Sequence, residues 1–219
     1  MKTIVITSQK GGSAKTTLTA LLSVQVEAAG DGPAWIIDTD QQNSLARWHE
    51  RREYDKPQRA VLPFRELATG LDALAAKHKA KFCFIDTAPT VSNQSAALIA
   101  LADLVIIPVQ PSPCDLWSAA ETIELVKAAA KPFRFVITKA NPRAALTAQT
   151  VAALSHYGPV AETFIRDRTA YAAAMASGST APEMQPRGLA ALETEALWQE
   201  IKRAFQHSSK SAKKVMHHG

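Results

Sequence analysis

The sequence has little cysteine, no long apolar run and no acidic residue in its last segment. Two cysteines in 219 residues, Cys83 and Cys114, are too few and too far apart for a disulfide framework, which fits a reducing cytosol. Cys83 lies inside an apolar run, where a buried thiol is expected. No apolar stretch nears the roughly 20 residues of a membrane span, so no membrane partner is expected. One lysine and then an apolar run is not the form of a signal peptide. Internal repeats are absent, and biased composition is confined to residues 208–214. The balance of 47% hydrophobic and 21% charged residues is that of a globular chain of one ordinary domain. From Lys202 onward there is no Asp or Glu. The basic residues there (Lys202, Arg203, Lys210, Lys213, Lys214) account for the whole net charge of +5.

What is present begins with Thr3-Ile4-Val5-Ile6-Thr7, an apolar run. Gln9-Lys10-Gly11-Gly12-Ser13-Ala14-Lys15-Thr16-Thr17 follows, and then an Ala/Leu-rich stretch over 18–29. Strand, glycine loop and helix form the setting of a phosphate cradle. The glycines let backbone N–H groups approach a polyphosphate, and the helix adds the positive end of its dipole. Lys15 is placed to reach the β- and γ-phosphates of ATP, and Thr16 to offer a hydroxyl to Mg²⁺. Ala14 stands where the common pattern has its second glycine. A methyl there fits a negative φ.

Further apolar runs read as strands over 34–38, 61–64, 82–86, 104–109, 133–137 and 161–165. Helices are expected over 47–54, 67–78, 95–102, 116–130, 148–156, 169–175 and 189–207. This alternation predicts a single-domain α/β fold, a mostly parallel sheet with helices on both faces. Such sheets bind ligands beyond the C-terminal ends of their strands. The glycine loop, Asp38 with Asp40, and Asp86 all fall there. Asp86 closes an apolar strand as a Mg²⁺-holding carboxylate does. In the last helix Leu189, Leu192, Ala196, Leu197, Ile201 and Phe205 form a stripe expected to face the core.

K-G-G-x-x-K-T-T resembles the deviant Walker A loop of the ParA/MinD family of P-loop ATPases. Asp86-Thr87-Ala88-Pro89 is similar to that family's D-T-[AP]-P segment. Asp38-Thr39-Asp40-x-Gln42 resembles its D-x-D-P-Q switch, with Gln41 in place of proline. Pro111-Ser112-Pro113-Cys114-Asp115 and Ile165-x-x-Arg168-x-x-Tyr171 resemble segments of the small, ParF-like ParA branch. The likeness spans residues 1 to about 207, read as the ATPase domain, with 208–219 as a basic, mobile tail.

The resemblance implies an ATP- and Mg²⁺-dependent ATPase, slow and stimulated by DNA or a partner. Nucleotide would be held by Lys10, Gly11, Gly12, Ser13, Ala14, Lys15, Thr16 and Thr17, and the metal by Thr16, Asp38 and Asp86. Lys10, Lys15 and Asp40 would be catalytic, with Lys10 reaching the partner's nucleotide in an ATP-bound homodimer and Asp40 orienting water. The adenine would be met by loops such as 139–142 and 182–184. Arg168, Lys202 and Arg203 would touch non-specific DNA on the nucleoid of a bacterial cytoplasm, and a ParB-like or other adaptor would trigger hydrolysis. Plasmids or protein cargo such as carboxysomes would be partitioned in this way.

Other readings of the fold are a MinD-like membrane-surface ATPase, an iron–sulfur reductase and a small-molecule kinase or ligase. The first needs an amphipathic membrane helix, and the second needs cysteines at a dimer face.

Overall fold

The computed structural model describes residues 1–90 and 92–215, with side chains as far as residue 205. Seven strands form one sheet: β1 (Lys2–Ile6), β2 (Ala34–Asp38), β3 (Gln58–Arg59), β4 (Phe82–Asp86), β5 (Leu104–Val109), β6 (Phe133–Ala140) and β7 (Ile165–Arg166). They run in the order β3-β2-β4-β1-β5-β6-β7, and every pair is parallel. The α/β class read from the sequence is the class observed.

Side chains alternate across the sheet. Ile4, Ile6, Ile36, Phe84, Ile106 and Val136 face one layer. That layer holds α1 (Lys15–Ala28), α2 (Ser44–Glu50), α7 (Thr169–Ala176), α8 (Ala181–Met184) and α9 (Leu189–Val215). Val5, Ile37, Cys83, Ile85, Val105 and Ile107 face the other, with α3 (Leu67–His78), α4 (Asn93–Leu101), α5 (Pro113–Ala128) and α6 (Ala145–Ser155). Burial on both faces is why the strands are continuous apolar runs.

Helices α4, α5 and α6 start two or three residues before their expected bounds, β6 runs on to Ala140, and the short α8 was not expected; four further differences have a visible cause or consequence. The edge strand is Gln58–Arg59, not 61–64, and Val61 and Phe64 are exposed. Pro57 and Pro63, which cannot donate to a ladder, flank the segment that pairs with β2. The last strand is Ile165–Arg166, upstream of which Val160 makes a lone bridge to Phe135. Helix α2 starts three residues early, because Asp38 Oδ2 accepts the N–H of Ala46 at 2.9 Å and caps it from a distance. In α9 the buried face is Ala190, Ala191, Thr194, Leu197, Trp198 and Ile201, whereas Leu189 and Leu192 are 59% and 55% exposed. The helix continues to Val215, past the limit set at residue 207, so residues 208–215 of the expected tail are helical, and the rest of that tail, 216–219, lies outside the described residues. No helix among the described residues is long and apolar enough to cross a membrane.

Candidate nucleotide site

Register builds the site. Asp86 stands level with Ile6 of β1 on one side and with Asp38 of β2 on the other. The loop that leaves β1 therefore opens directly beside both carboxylates, at the point where the strand order reverses. A cleft of about 430 Å³ lies over it, lined by Gly11, Gly12, Lys15, Thr16, Asp40 and Lys139 among others.

Within the loop Gly12 has φ +76°, which glycine adopts freely. Ala14 has φ +72°, so the negative φ expected from its methyl group is not what the loop adopts. An alanine in the left-handed region costs roughly 1 kcal/mol, and it persists only because the surroundings impose it. A Cβ added at Gly11 or Gly12 would meet nothing within 4 Å, so protein packing does not demand glycine there.

Lys15 is buried, and its Nζ donates to the Lys10 carbonyl at 3.1 Å. Burial lowers its pKa, opposed by the carboxylates of Asp86 and Asp40. Thr16 Oγ1 donates to Asp86 Oδ2 at 2.6 Å. Asp86 is 1% exposed, and its other oxygen, Oδ1, has no hydrogen-bond partner. Burial pushes the carboxyl up to about 7, against the pull of the Thr16 hydroxyl. An orphaned buried carboxylate oxygen beside a threonine hydroxyl is the donor set a hard dication takes, so Thr16 and Asp86 fit Mg²⁺. Asp38 differs. Its oxygens accept the N–H groups of Asp40 at 3.0 Å and Ala46 at 2.9 Å, so here it caps the switch segment. Burial raises its pKa, opposed by those donors. Asp40 lines the cleft, and its Oδ1 accepts the Gln42 N–H at 3.0 Å.

Lys10 does not line its own cleft. Its ammonium is held by Asp115, a buried residue in the first turn of α5 whose helix is capped by Ser112. That hydrogen bond raises the Lys10 pKa. The P-S-P-x-D segment carries no sign that Asp115 pairs with Lys10 of its own chain. The two are 105 positions apart and are brought together by the β1–β5 pairing.

A smaller cleft of about 130 Å³ continues from Ala14 and Thr17 between β6 and α7, past Lys139, Arg166 and Tyr171. Lys139 lines both clefts, whereas Pro182, Glu183 and Met184 line neither. Glu183 instead caps α8 and pairs with Arg52. Of the residues expected at DNA, Arg168 is bound to Glu193 at 2.5 Å and Lys202 to Asp31 at 2.9 Å. Arg203 Nε donates to the Gln199 carbonyl at 3.3 Å. Cys83 is buried, its thiol pushed up to about 12 by burial, and Cys114 is exposed on α5.

Residues 4–181 match the family described as the CobQ/CobB/MinD/ParA nucleotide binding domain. The chain belongs to this family. It is 26% identical to the maintenance of carboxysome distribution protein A of Halothiobacillus neapolitanus, over 87% of this chain and 91% of that protein. Among solved structures, a McdA–ATP complex from Cyanothece superposes with a TM-score of 0.70 at 19% identity, covering 94% of this chain and 96% of that one. MinD of Pyrococcus horikoshii with Mg-ADP superposes with a TM-score of 0.76 at 18% identity, over 91% and 95%. At those identities the two structures show a shared fold. The ParA/MinD resemblance read from the phosphate loop is thereby borne out.

Proposed function

We propose that this ParA/MinD-family protein is a positioning ATPase that dimerises with ATP, binds DNA without sequence preference and moves a cargo through an adaptor. The likeness to carboxysome-distribution proteins makes a protein assembly the favoured cargo. Bound ATP would supply the phosphoryl group lost on hydrolysis, with Mg²⁺ neutralising its charge. The chain's own residues do the rest. The loop amides and Lys15 bind the phosphates. Thr16 and Asp86 hold the cation, and Asp38 keeps the switch segment in place. Asp40, at the cleft wall, orients water.

The observation that carries this reading is Lys10. Its ammonium sits beside the cleft on Asp115 and contributes nothing to the phosphate pocket of its own chain. A lysine held there does not serve its own chain's phosphates, and on release from Asp115 it would be available to a second copy's phosphates across a two-fold interface. Lys10→Ala is expected to bind nucleotide as the wild type does and to remain monomeric with ATP in size-exclusion light scattering. A variant that still dimerises with ATP overturns the trans role.

The family description also names CobQ and CobB, and a small-molecule ligase is tested by a turnover assay: ATP hydrolysis without an acceptor substrate argues for the positioning role. The adaptor, the nucleoid and the cytoplasm belong to the same proposal.

A further inference from the structure

Three carbonyls of the phosphate loop are each held by a side-chain donor. Lys15 takes the Lys10 carbonyl at 3.1 Å, Gln110 Nε2 takes that of Gly12 at 2.5 Å, and Thr138 Oγ1 takes that of Ser13 at 3.1 Å. Gln110 follows the end of β5, and Thr138 lies in β6, wholly buried. Neither lines the 430 Å³ cleft over the loop.

A trans peptide unit carries its N–H on the side opposite its C=O. Holding the Gly12 and Ser13 carbonyls outside the cleft therefore turns the N–H groups of Ser13 and Ala14 the other way. Among the described residues neither N–H has an acceptor within the chain. The Ser13–Ala14 peptide is also the one entering the left-handed residue, where an alanine would otherwise relax to negative φ. The Ser13 hydroxyl is buried and unpaired, so the loop offers no competing hold on this unit.

We propose that Thr138 and Gln110 are positioning residues of the phosphate cradle, fixing two peptide planes so that the Ser13 and Ala14 amides face the ligand's phosphates. This rests on the nucleotide-site reading and adds to it two residues outside the loop motif. It also accounts for Ala14: the αL conformation is imposed from β6, so glycine is not required there. Thr138→Val keeps the shape and removes the donor. Thr138→Ser keeps the donor.

The test uses two probes, ADP and inorganic tripolyphosphate, titrated calorimetrically into the full chain. Tripolyphosphate has no base and so is blind to any contact of Thr138 in the smaller cleft. Thr138→Val is expected to weaken both probes by about tenfold, the usual loss for one misdirected hydrogen bond to a charged group. Gln110→Leu should do the same. Thr138→Ser should return to within about twofold of wild type. In hydrogen–deuterium exchange, ADP should protect the Ser13–Ala14 amides of the wild type and of Thr138→Ser but not those of Thr138→Val. Unchanged affinity in both Thr138→Val and Gln110→Leu overturns the proposal. So does a Thr138→Ser variant as weak as Thr138→Val, or a loss confined to ADP. A wild-type chain that binds neither probe, or a Lys15→Ala variant that binds both normally, overturns the nucleotide-site reading itself.

Discussion

Asp86 closes β4 with a carboxyl that water does not reach, and one of its oxygens has no partner. Burial without full satisfaction favours the neutral acid, hence a pKa raised from an ordinary 3.8 to about 7. The folded chain then binds this proton more tightly than the unfolded chain does. The stability tied to it is present below about pH 4 and is lost as pH rises towards about 7. Asp86→Asn removes the ionisation and keeps the shape. Between about pH 4 and pH 7 the ligand-free wild type should therefore lose stability relative to Asp86→Asn by an amount on the order of a few kcal/mol. Urea midpoints of the two proteins across that range read it directly. A difference that stays flat with pH means that Asp86 ionises normally in the fold. Lys15 follows the same logic with opposite charge: burial lowers its pKa, so the loop in the ligand-free chain holds a lysine and an acid that both disfavour their charged forms.

Elements are joined by residues that carry no motif, and Arg52 is the clearest of them. Its guanidinium, 1% exposed, bonds the carbonyls of Lys56 and Gly178, pairs with Glu183 at 2.7 Å and lies 4.6 Å from the Trp48 ring centroid. It thus ties the exit of α2 to the turn before α8. Arg52→Ala leaves Glu183 and two carbonyls without their donor and is expected to cost about 3 kcal/mol by chemical denaturation. Arg52→Lys should recover little, since an ammonium cannot serve three directions in one plane. A loss under about 1 kcal/mol would show that the cluster is ornament to the packing of Trp48. Nothing in the sequence distinguished Arg52 from its charged neighbours Arg51 and Glu53, because its partners lie 126 and 131 positions away. What was legible had local cause. The runs 34–38 and 82–86 are apolar up to their closing aspartates and 104–109 is apolar throughout, and all three form strands with those bounds. Helix α3 shows its spacing in Leu67, Leu71 and Leu74 and has the expected bounds, 67–78. What was not legible had a distant cause: the start of α2 set by Asp38, the left-handed Ala14 beside Thr138, and the rotation of α9 that exposes Leu189 and Leu192 while seating Trp198 against Phe82. The phosphate loop was readable because its chemistry is packed into nine consecutive positions, whereas Lys10 and Asp115 lie 105 positions apart and meet once the sheet has formed.

At the scale of the whole molecule the question is where a basic chain can spend its charge. The net +5 comes from the segment after residue 201, yet ion pairing redistributes what is available. Arg168 is paired with Glu193, which it shares with Arg166, and Lys202 with Asp31, all on the same chain. Arg203 is exposed, its nitrogen on a helix carbonyl, with no acid paired to it among the described residues. Charge already neutralised at close range contributes little to a phosphate-backbone field. DNA binding should then depend on Arg203 and the lysines at the end of α9 more than on Arg168. Two such arrays joined in an ATP-bound dimer would act together, so retardation of arbitrary duplex DNA is expected with ATP and not without it. The affinity should fall steeply with salt as counterions are released. Arg203→Ala combined with Lys210→Ala should weaken binding at least tenfold and flatten the salt slope, while ATP-dependent dimerisation persists. Arg168→Ala should leave the DNA affinity within about threefold and instead loosen the α7–α9 contact, since Glu193, which also accepts from the Tyr171 hydroxyl, loses its Arg168 donor. Electrophoretic retardation and fluorescence anisotropy at several salt concentrations separate these outcomes. If Arg168→Ala abolishes DNA binding while dimers form, the Glu193 pair opens on the duplex and the tail is not the surface. If the ATP-bound dimer ignores DNA at low salt, the positioning reading loses its nucleoid arm.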